Sequence, residues 1–248
     1  MGIQDGSFLE VPGVARYRIK GGGEILVDPH PEADPGLVRL FLFGTAFGML
    51  CHRRGLVPLH AGCVVIGGRA VAIAGASGAG KSTLVAALAS RGHAVVSDDV
   101  CVIDWRSPGP PRVIPFAPRL KLTPDSLSAV GLSPELAEFL AFEPQKRDVI
   151  GSVSLQKEPV PLAAIYHLDM EAGAAGEEVR PVRGAAALAF LNRNIYRAAA
   201  ARRMGRTGEL FHATARIAGL VPNYHLVRGS DFGGLEGLVR CLSARHGG

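Results

Sequence analysis

Gly75–Ser82 reads GASGAGKS, and it stands between an apolar run, RAVAIAG at 69–75, and an amphiphilic one, KSTLVAALA at 81–89. The first run has the length and bounding glycines of a buried strand, and the second has the composition of a helix. A glycine loop between a strand and a helix N-terminus is a built anion site. Gly75, Gly78 and Gly80 permit backbone conformations that turn successive N–H groups inward, with Ala76, Ser77 and Ala79 completing the loop without bulky side chains. Lys81 adds a point charge for the β and γ phosphates of ATP, Ser82 offers a hydroxyl to Mg²⁺, and Thr83 continues the first helical turn. The plain alternative is a glycine-rich turn that binds nothing. The strand before and the helix after favour phosphate binding, because the mechanism requires both.

Working outward, CVVIGG (63–68) and RAVAIAG meet at Gly67-Gly68, a strong hairpin signal. Arg91-Gly92 ends the helix, and HAVVS (93–97) predicts a short buried strand that delivers Asp98 and Asp99. In a parallel or mixed α/β sheet, that strand end faces the same crevice as the phosphate loop. One carboxylate can then hold Mg²⁺ and the other can accept the proton of an attacking hydroxyl. A solvated Asp-Asp turn is the alternative, but an uncompensated acidic pair beside such a loop would oppose anion binding. His60, in LHAG ahead of the hairpin, folds back toward Asp98 and could orient a carboxylate or contact the transferred phosphate. A structural histidine is the plainer reading.

The stretch His60–Asp99 resembles the catalytic domain of HPr kinase/phosphorylase, which joins a histidine, the phosphate loop, a similar helix end and an Asp-Asp strand end in this order. The resemblance implies a P-loop domain of HPr kinase/phosphoenolpyruvate carboxykinase type, a mixed sheet with flanking helices, and Mg²⁺-dependent transfer of phosphate from ATP to a protein serine. It also implies roles: Asp98 as acid/base, Asp99 on the metal side, Lys81 and Ser82 in the loop, and His60 beside the acid. There are departures. Residues 1–55 stand where the bacterial regulator kinases carry a long regulatory domain, and no Glu-x-Arg-Gly signature follows the acidic pair. In this the chain is similar to shorter HPr-kinase-like enzymes, some of which phosphorylate a terminal serine of a lasso-peptide precursor. The implied acceptor is a serine in a protein or precursor peptide. A small-molecule kinase and a nucleotide-dependent regulatory module are the alternatives.

Further basic side chains are candidates for neutralising phosphate or holding an acidic substrate: Arg119, Lys121, Lys146, Arg147, and the pair Arg193 and Arg197 on one expected helix face. Each is otherwise a solvated surface charge. The formal charge of +5 selects no partner, and the few aromatics do not interleave with Lys and Arg as stacking platforms for nucleic acid would. Cys51, Cys63, Cys101 and Cys241 show no ligand or disulfide spacing, which reads as core thiols in a reducing cytoplasm. No secretory signal or spanning apolar run is legible, so a soluble, cytoplasmic chain without membrane attachment is expected. Ring-forming relatives leave a homo-oligomer open.

Elsewhere the pattern predicts a small N-terminal α+β segment over residues 1–55: a hairpin between residues 14 and 28, then a mostly buried helix from Pro35 to the basic turn before Gly55. The catalytic domain spans 56–248. Within it the expectations are a helix in two pieces over 125–141, a strand over 162–168 that resumes after the polar loop 171–178, a helix over 185–203, a strand near 225–229 and a terminal helix over 234–244.

Overall fold

Alternation of side chains builds the first layer. In β1 (Ser7–Val11), β2 (Ala15–Lys20) and β3 (Glu24–Pro29) the inward positions carry Tyr17 and Ile19, both fully buried, while Arg16 stays exposed. The three form an antiparallel sheet in the order β1-β2-β3. The expected hairpin is β2–β3, and β1 is an addition to it. These coordinates are a computed structural model describing residues 6–116, 120–132, 137–139, 147–149, 153–171, 178–229 and 233–247.

The rod that follows starts where Asp34 caps it, its Oδ1 accepting from the N–H of Gly36 (2.6 Å) and Leu37 (3.2 Å). It runs as α1 (Pro35–Phe41), a π-helical turn (Leu42–Ala46) and α2 (Phe47–Arg53). The expectation of a mostly buried helix fails for its first half. None of α1 is fully buried; Leu37, Val38 and Phe41 lie half-covered on the three-stranded sheet, and the opposite face borders a cavity. Only α2 is enclosed, from Gly48 to His52. By length and composition the rod could cross a membrane, a test that packed core helices also pass.

A nine-stranded mixed sheet forms the centre. Its strands are β4 (Val57–Leu59), β5 (Ala61–Ile66), β6 (Arg69–Gly75), β7 (Val95–Ser97), β8 (Cys101–Asp104), β9 (Arg112–Ile114), with β10 (Leu120–Leu122), β11 (Ala137–Phe139) and β12 (Arg147–Val149) forming a separate small sheet before β13 (Val160–Met170), β14 (Glu178–Val182) and β15 (Asn223–Arg228) return to the large one. The helices are α3 (Lys81–Ser90), α4 (Pro124–Ala129), α5 (Gly184–Arg193), α6 (Ala198–Arg203), α7 (Thr207–Leu220) and α8 (Leu235–His246). The order is β4-β8-β9-β13-β6-β5-β7, with β15 beside β13 and β14 beside β15. β6, β13 and β15 run parallel, and β5 is antiparallel to both β6 and β7.

β6 shows why both faces are covered. Val71 and Ile73 point into a cluster with Leu84 and Leu88 of α3 and Leu238 and Leu242 of α8. Ala70, Ala72 and Ala74 point the other way, against Leu191 of α5 and Ala213 and Ile217 of α7. Each large aliphatic side chain so buried contributes about 1.5–3 kcal/mol.

Four expectations need correction. Gly131, at φ 71°, closes the segment after α4, and residues 137–139 are strand rather than a second helical piece. The helix expected over 185–203 breaks between α5 and α6, because the edge of β4 recruits the backbone: Tyr196 N–H donates to Pro58 O (2.9 Å) and Ile195 bridges Leu59. β14 does not resume β13; it pairs antiparallel with β15. The fourteen-residue α7 had no counterpart in the sequence reading.

Candidate functional site

β6 enters the loop at Gly75, where a Cβ would stand 2.3 Å from the carbonyl oxygen of Leu168 on parallel β13, so no other residue fits. The chain then turns through Gly78 (φ 84°) and Gly80 (φ 94°) into α3. Gly80 is the N-cap residue and offers no side chain to the first-turn N–H groups, which leaves them to an outside acceptor. Ser77 and Gly78 are exposed on the rim. Lys81, 7% exposed, folds back so that Nζ donates to Gly75 O and Ala76 O, both at 2.9 Å. Thr83 turns inward, its hydroxyl engaged with Ser126 Oγ at 2.8 Å, which makes it an anchor between α3 and α4.

The short β7 ends beside this turn. Ser82 Oγ donates to Asp98 Oδ1 (2.9 Å), and the backbone N–H of Lys121 donates to Asp98 Oδ2 (3.1 Å). Asp98 is buried. Asp99 takes the opposite course: its backbone is left-handed at φ 76°, uncommon for a non-glycine residue although aspartate tolerates it better than most, and its side chain is 43% exposed. His60 meets Asp99 rather than Asp98. Its Nδ1 lies 3.1 Å from Asp99 O and 3.3 Å from Asp99 Oδ1, while the backbone N–H of His60 donates to Asn194 O at 2.7 Å. Lys121 Nζ stands 3.9 Å from Asp99 Oδ2. The acidic pair is therefore divided between two neighbourhoods, one against the loop hydroxyl and one against His60 and Lys121.

A cavity of about 310 Å³ opens in front of Asp99, walled by Phe43 of the π turn, Phe116, Tyr196 and Arg197. Arg197 has a left-handed backbone (φ 54°) at the break between α5 and α6, and its guanidinium lies 5.1 Å from the centre of the Tyr196 ring. The break also separates it from Arg193, which stacks on Phe190 instead (4.4 Å), so the expected shared face does not form. Of the other basic candidates, Lys121 joins the site; Arg119 and Lys146 lie outside the described residues, as does the side chain of Arg147 at the start of β12.

Sequence reasoning passed over Arg228. At the end of β15 its Nε donates to Ala79 O at 3.0 Å, and a Cβ on Gly80 would come within 2.6 Å of its Nη2. The loop is thus backed by a second cation besides Lys81. The available signal was positional: an arginine closing a strand that runs parallel to the one feeding the loop.

Of the cysteines, Cys51, Cys63 and Cys101 are buried and none is in a disulfide. Burial pushes the Cys51 thiol up to about 12, and burial beside Cys101 pushes Cys63 up as well, so both are inert. Among the described residues no group of three metal-ligating side chains gathers.

No protein-family model and no curated protein matches the chain. Among solved structures, the HPr(Ser) kinase/phosphatase from Coxiella burnetii is similar to it, at 16% identity and a TM-score of 0.38, over 77% of this chain and 99% of that one. A likeness so distant adds no weight to the geometry, on which the functional reading rests.

Proposed function

We propose that this chain is a Mg²⁺-dependent kinase that transfers the γ-phosphate of ATP to a serine hydroxyl of a protein or precursor peptide. The observation that carries the reading is the convergence, at one end of the sheet, of the glycine loop, Lys81 and the Ser82 hydroxyl with two carboxylates that face an open cavity. The residues fit the groups required. Among the described residues the first turn of α3 has no side-chain cap and nothing lies within 4 Å of the place a Cβ on Gly78 would take, which leaves room for phosphate oxygens. Lys81 and the loop N–H groups would hold the phosphates, and Ser82 with Asp98 would hold the metal. When bound, Mg²⁺ would supply neutralisation of phosphate charge.

The geometry favours exchanging the two aspartate roles that the family resemblance implies. Asp98 is buried against the Ser82 hydroxyl, the position of a metal-side acid. Asp99 is the exposed carboxylate at the cavity, and His60 Nδ1 fixes its orientation. Asp99 accepts the proton of the serine hydroxyl as the serine oxygen bonds to phosphorus and the bond to the leaving diphosphate oxygen breaks. His60 is a positioning residue. Lys121 and Arg197 face the charge that develops on the transferred group.

Labelled ATP, Mg²⁺ and a serine-bearing peptide test this. Asp99→Asn is expected to lower kcat by about 10²–10⁴-fold with the Mg²⁺ requirement unchanged. Asp98→Asn is expected to raise the Mg²⁺ concentration needed for half-maximal rate. Wild-type labelling by Asp99→Asn would refute the assigned base, and wild-type turnover by Lys81→Ala would refute the loop.

A further inference from the structure

A second, larger cavity of about 790 Å³ lies beside the first, and Thr45 and Arg197 line both. Its floor is apolar: Phe8, 60% exposed on β1, with Met49 of α2 and Met204 after α6. Three arginines line it, Arg53 of α2, whose Nη1 donates to Ser7 Oγ at 3.2 Å, and Arg197 and Arg203 at the two ends of α6, and among the described residues lining it none is acidic. One wall is a strand edge. β1 pairs with β2 on one side only among the described residues, and Gly6–Leu9 line the groove. An unpaired edge next to an apolar floor is the ordinary seat for an extended segment added as a further strand.

We propose that this groove docks an extended acidic peptide, paired to the edge of β1 away from β2, with apolar side chains on Phe8, Met49 and Met204 and carboxylates on Arg53 and Arg203. The inference rests on the kinase reading for what happens next: the two cavities share Thr45 and Arg197 in their walls, and a peptide in the groove that passes these residues reaches Asp99. The substrate class is accordingly a serine that follows or precedes an acidic, extended recognition segment. Selection would come from the N-terminal strands and rod, and phosphate chemistry from the sheet end.

The probe is a fluorescein-labelled peptide of alternating glutamate and leucine with a single serine, alongside its lysine-for-glutamate counterpart. Anisotropy is read against the full chain, with binding of a fluorescent ATP analogue measured in parallel as the control for folding. The acidic peptide is expected to bind and the lysine peptide not to; Arg203→Glu and Phe8→Ala should each weaken the acidic peptide about tenfold or more, a loss of about 1.4 kcal/mol per decade, while leaving nucleotide binding unchanged. Rising salt should weaken the complex, and N-methylation of alternate amides should weaken it by blocking strand pairing. Equal affinity for both peptides, or unchanged affinity in Arg203→Glu, would overturn the docking assignment. So would concentration-dependent dimerisation that Arg203→Glu abolishes without affecting the peptide, since the occupant would then be a second copy of the chain. The two readings fail separately. Tight, Arg203-dependent binding without phosphate transfer would leave the docking site standing and sink the kinase, whereas transfer insensitive to Arg203→Glu and to peptide charge would do the reverse.

Discussion

The unit from β5 to β7 and the chain ahead of β4 are built on opposite terms. In the first, nearly every residue of β5, β6 and α3 is buried, and the exposed positions are confined to three turns: Gly67–Arg69 of the hairpin, Ala76–Gly78 of the glycine loop, and Ser90–Gly92 at the end of α3. In the second, strands alternate, α1 buries nothing completely, and large apolar side chains such as Phe8 and Phe43 stand 60% and 42% exposed. A phosphate loop needs its donors fixed in advance, which a fully enclosed strand and helix provide. A wall that receives a variable acceptor needs exposed apolar surface, which is what the π turn and β1 present. On the kinase reading proposed above, the contrast assigns rigidity to the place of chemistry and open surface to the place of recognition.

The largest test of that contrast is a pair of truncations. Leu84, 1% exposed in the cluster between α3 and the sheet, is expected on Leu84→Ala to lose about 2–5 kcal/mol of unfolding free energy. Phe43→Ala should change it by less than about 0.5 kcal/mol while raising the KM of the peptide acceptor, because Phe43 lines the cavity. Chemical denaturation of both proteins checks this, and similar losses in the two would abolish the distinction.

A smaller effect comes from His167, on β13 next to the strand that feeds the loop. It is 2% exposed, stacked on Phe190 (4.6 Å), with Nε2 2.9 Å from Asn223 Oδ1 and, among the described residues, no hydrogen-bond partner for Nδ1. Burial lowers its pKa to about 4 from 6.5; Arg193 and His225 push the same way, and the bond to Asn223 and the charge of Asp169 oppose them. The neutral form is therefore the folded form. Above pH 6.5 neither state holds the proton and stability is unaffected; as pH falls from 6.5 to 4 the unfolded chain binds the proton first, and stability drops by about 3 kcal/mol at most. His167→Gln, neutral throughout, should flatten this part of the pH profile. A wild-type curve that parallels the variant between pH 4 and 6.5 would remove His167 from the account.

How much was legible in sequence follows the same division. The hairpin, the loop, α3 and the Asp98-Asp99 strand end are specified by residues within forty positions of one another, so spacing alone placed them. The failures are contacts between distant parts of the chain. The Pro58 carbonyl breaks a run of good helix formers at Ile195–Arg197, and no local propensity predicts that. Arg228 reaches the loop only because β15 lies two strands from β6 across β13. The different surroundings of Asp98 and Asp99 turn on a left-handed backbone at Asp99, which adjacent identical residues conceal.

The smallest expected effect sits where the two regions touch. A Cβ on Gly48 of α2 would lie 3.0 and 3.1 Å from Tyr196 Cδ1 and Cε1 and 3.4 Å from Arg197 Cγ. In Gly48→Ala the gain in helix propensity, up to about 1 kcal/mol, roughly offsets the crowding, about 1–3 kcal/mol in a closed core and less here, because Tyr196 borders a cavity and can yield. Stability should therefore move by no more than about 1 kcal/mol. The displacement cannot cancel in the same way. Tyr196 and Arg197 line the cavity in front of Asp99, so the KM of the peptide acceptor should rise several-fold while nucleotide affinity holds. If thermal unfolding shows a large loss, the α2 contact belongs to the rigid core and the boundary between the two regions lies nearer the N-terminus; if KM is unmoved, Tyr196 and Arg197 do not shape the acceptor's path.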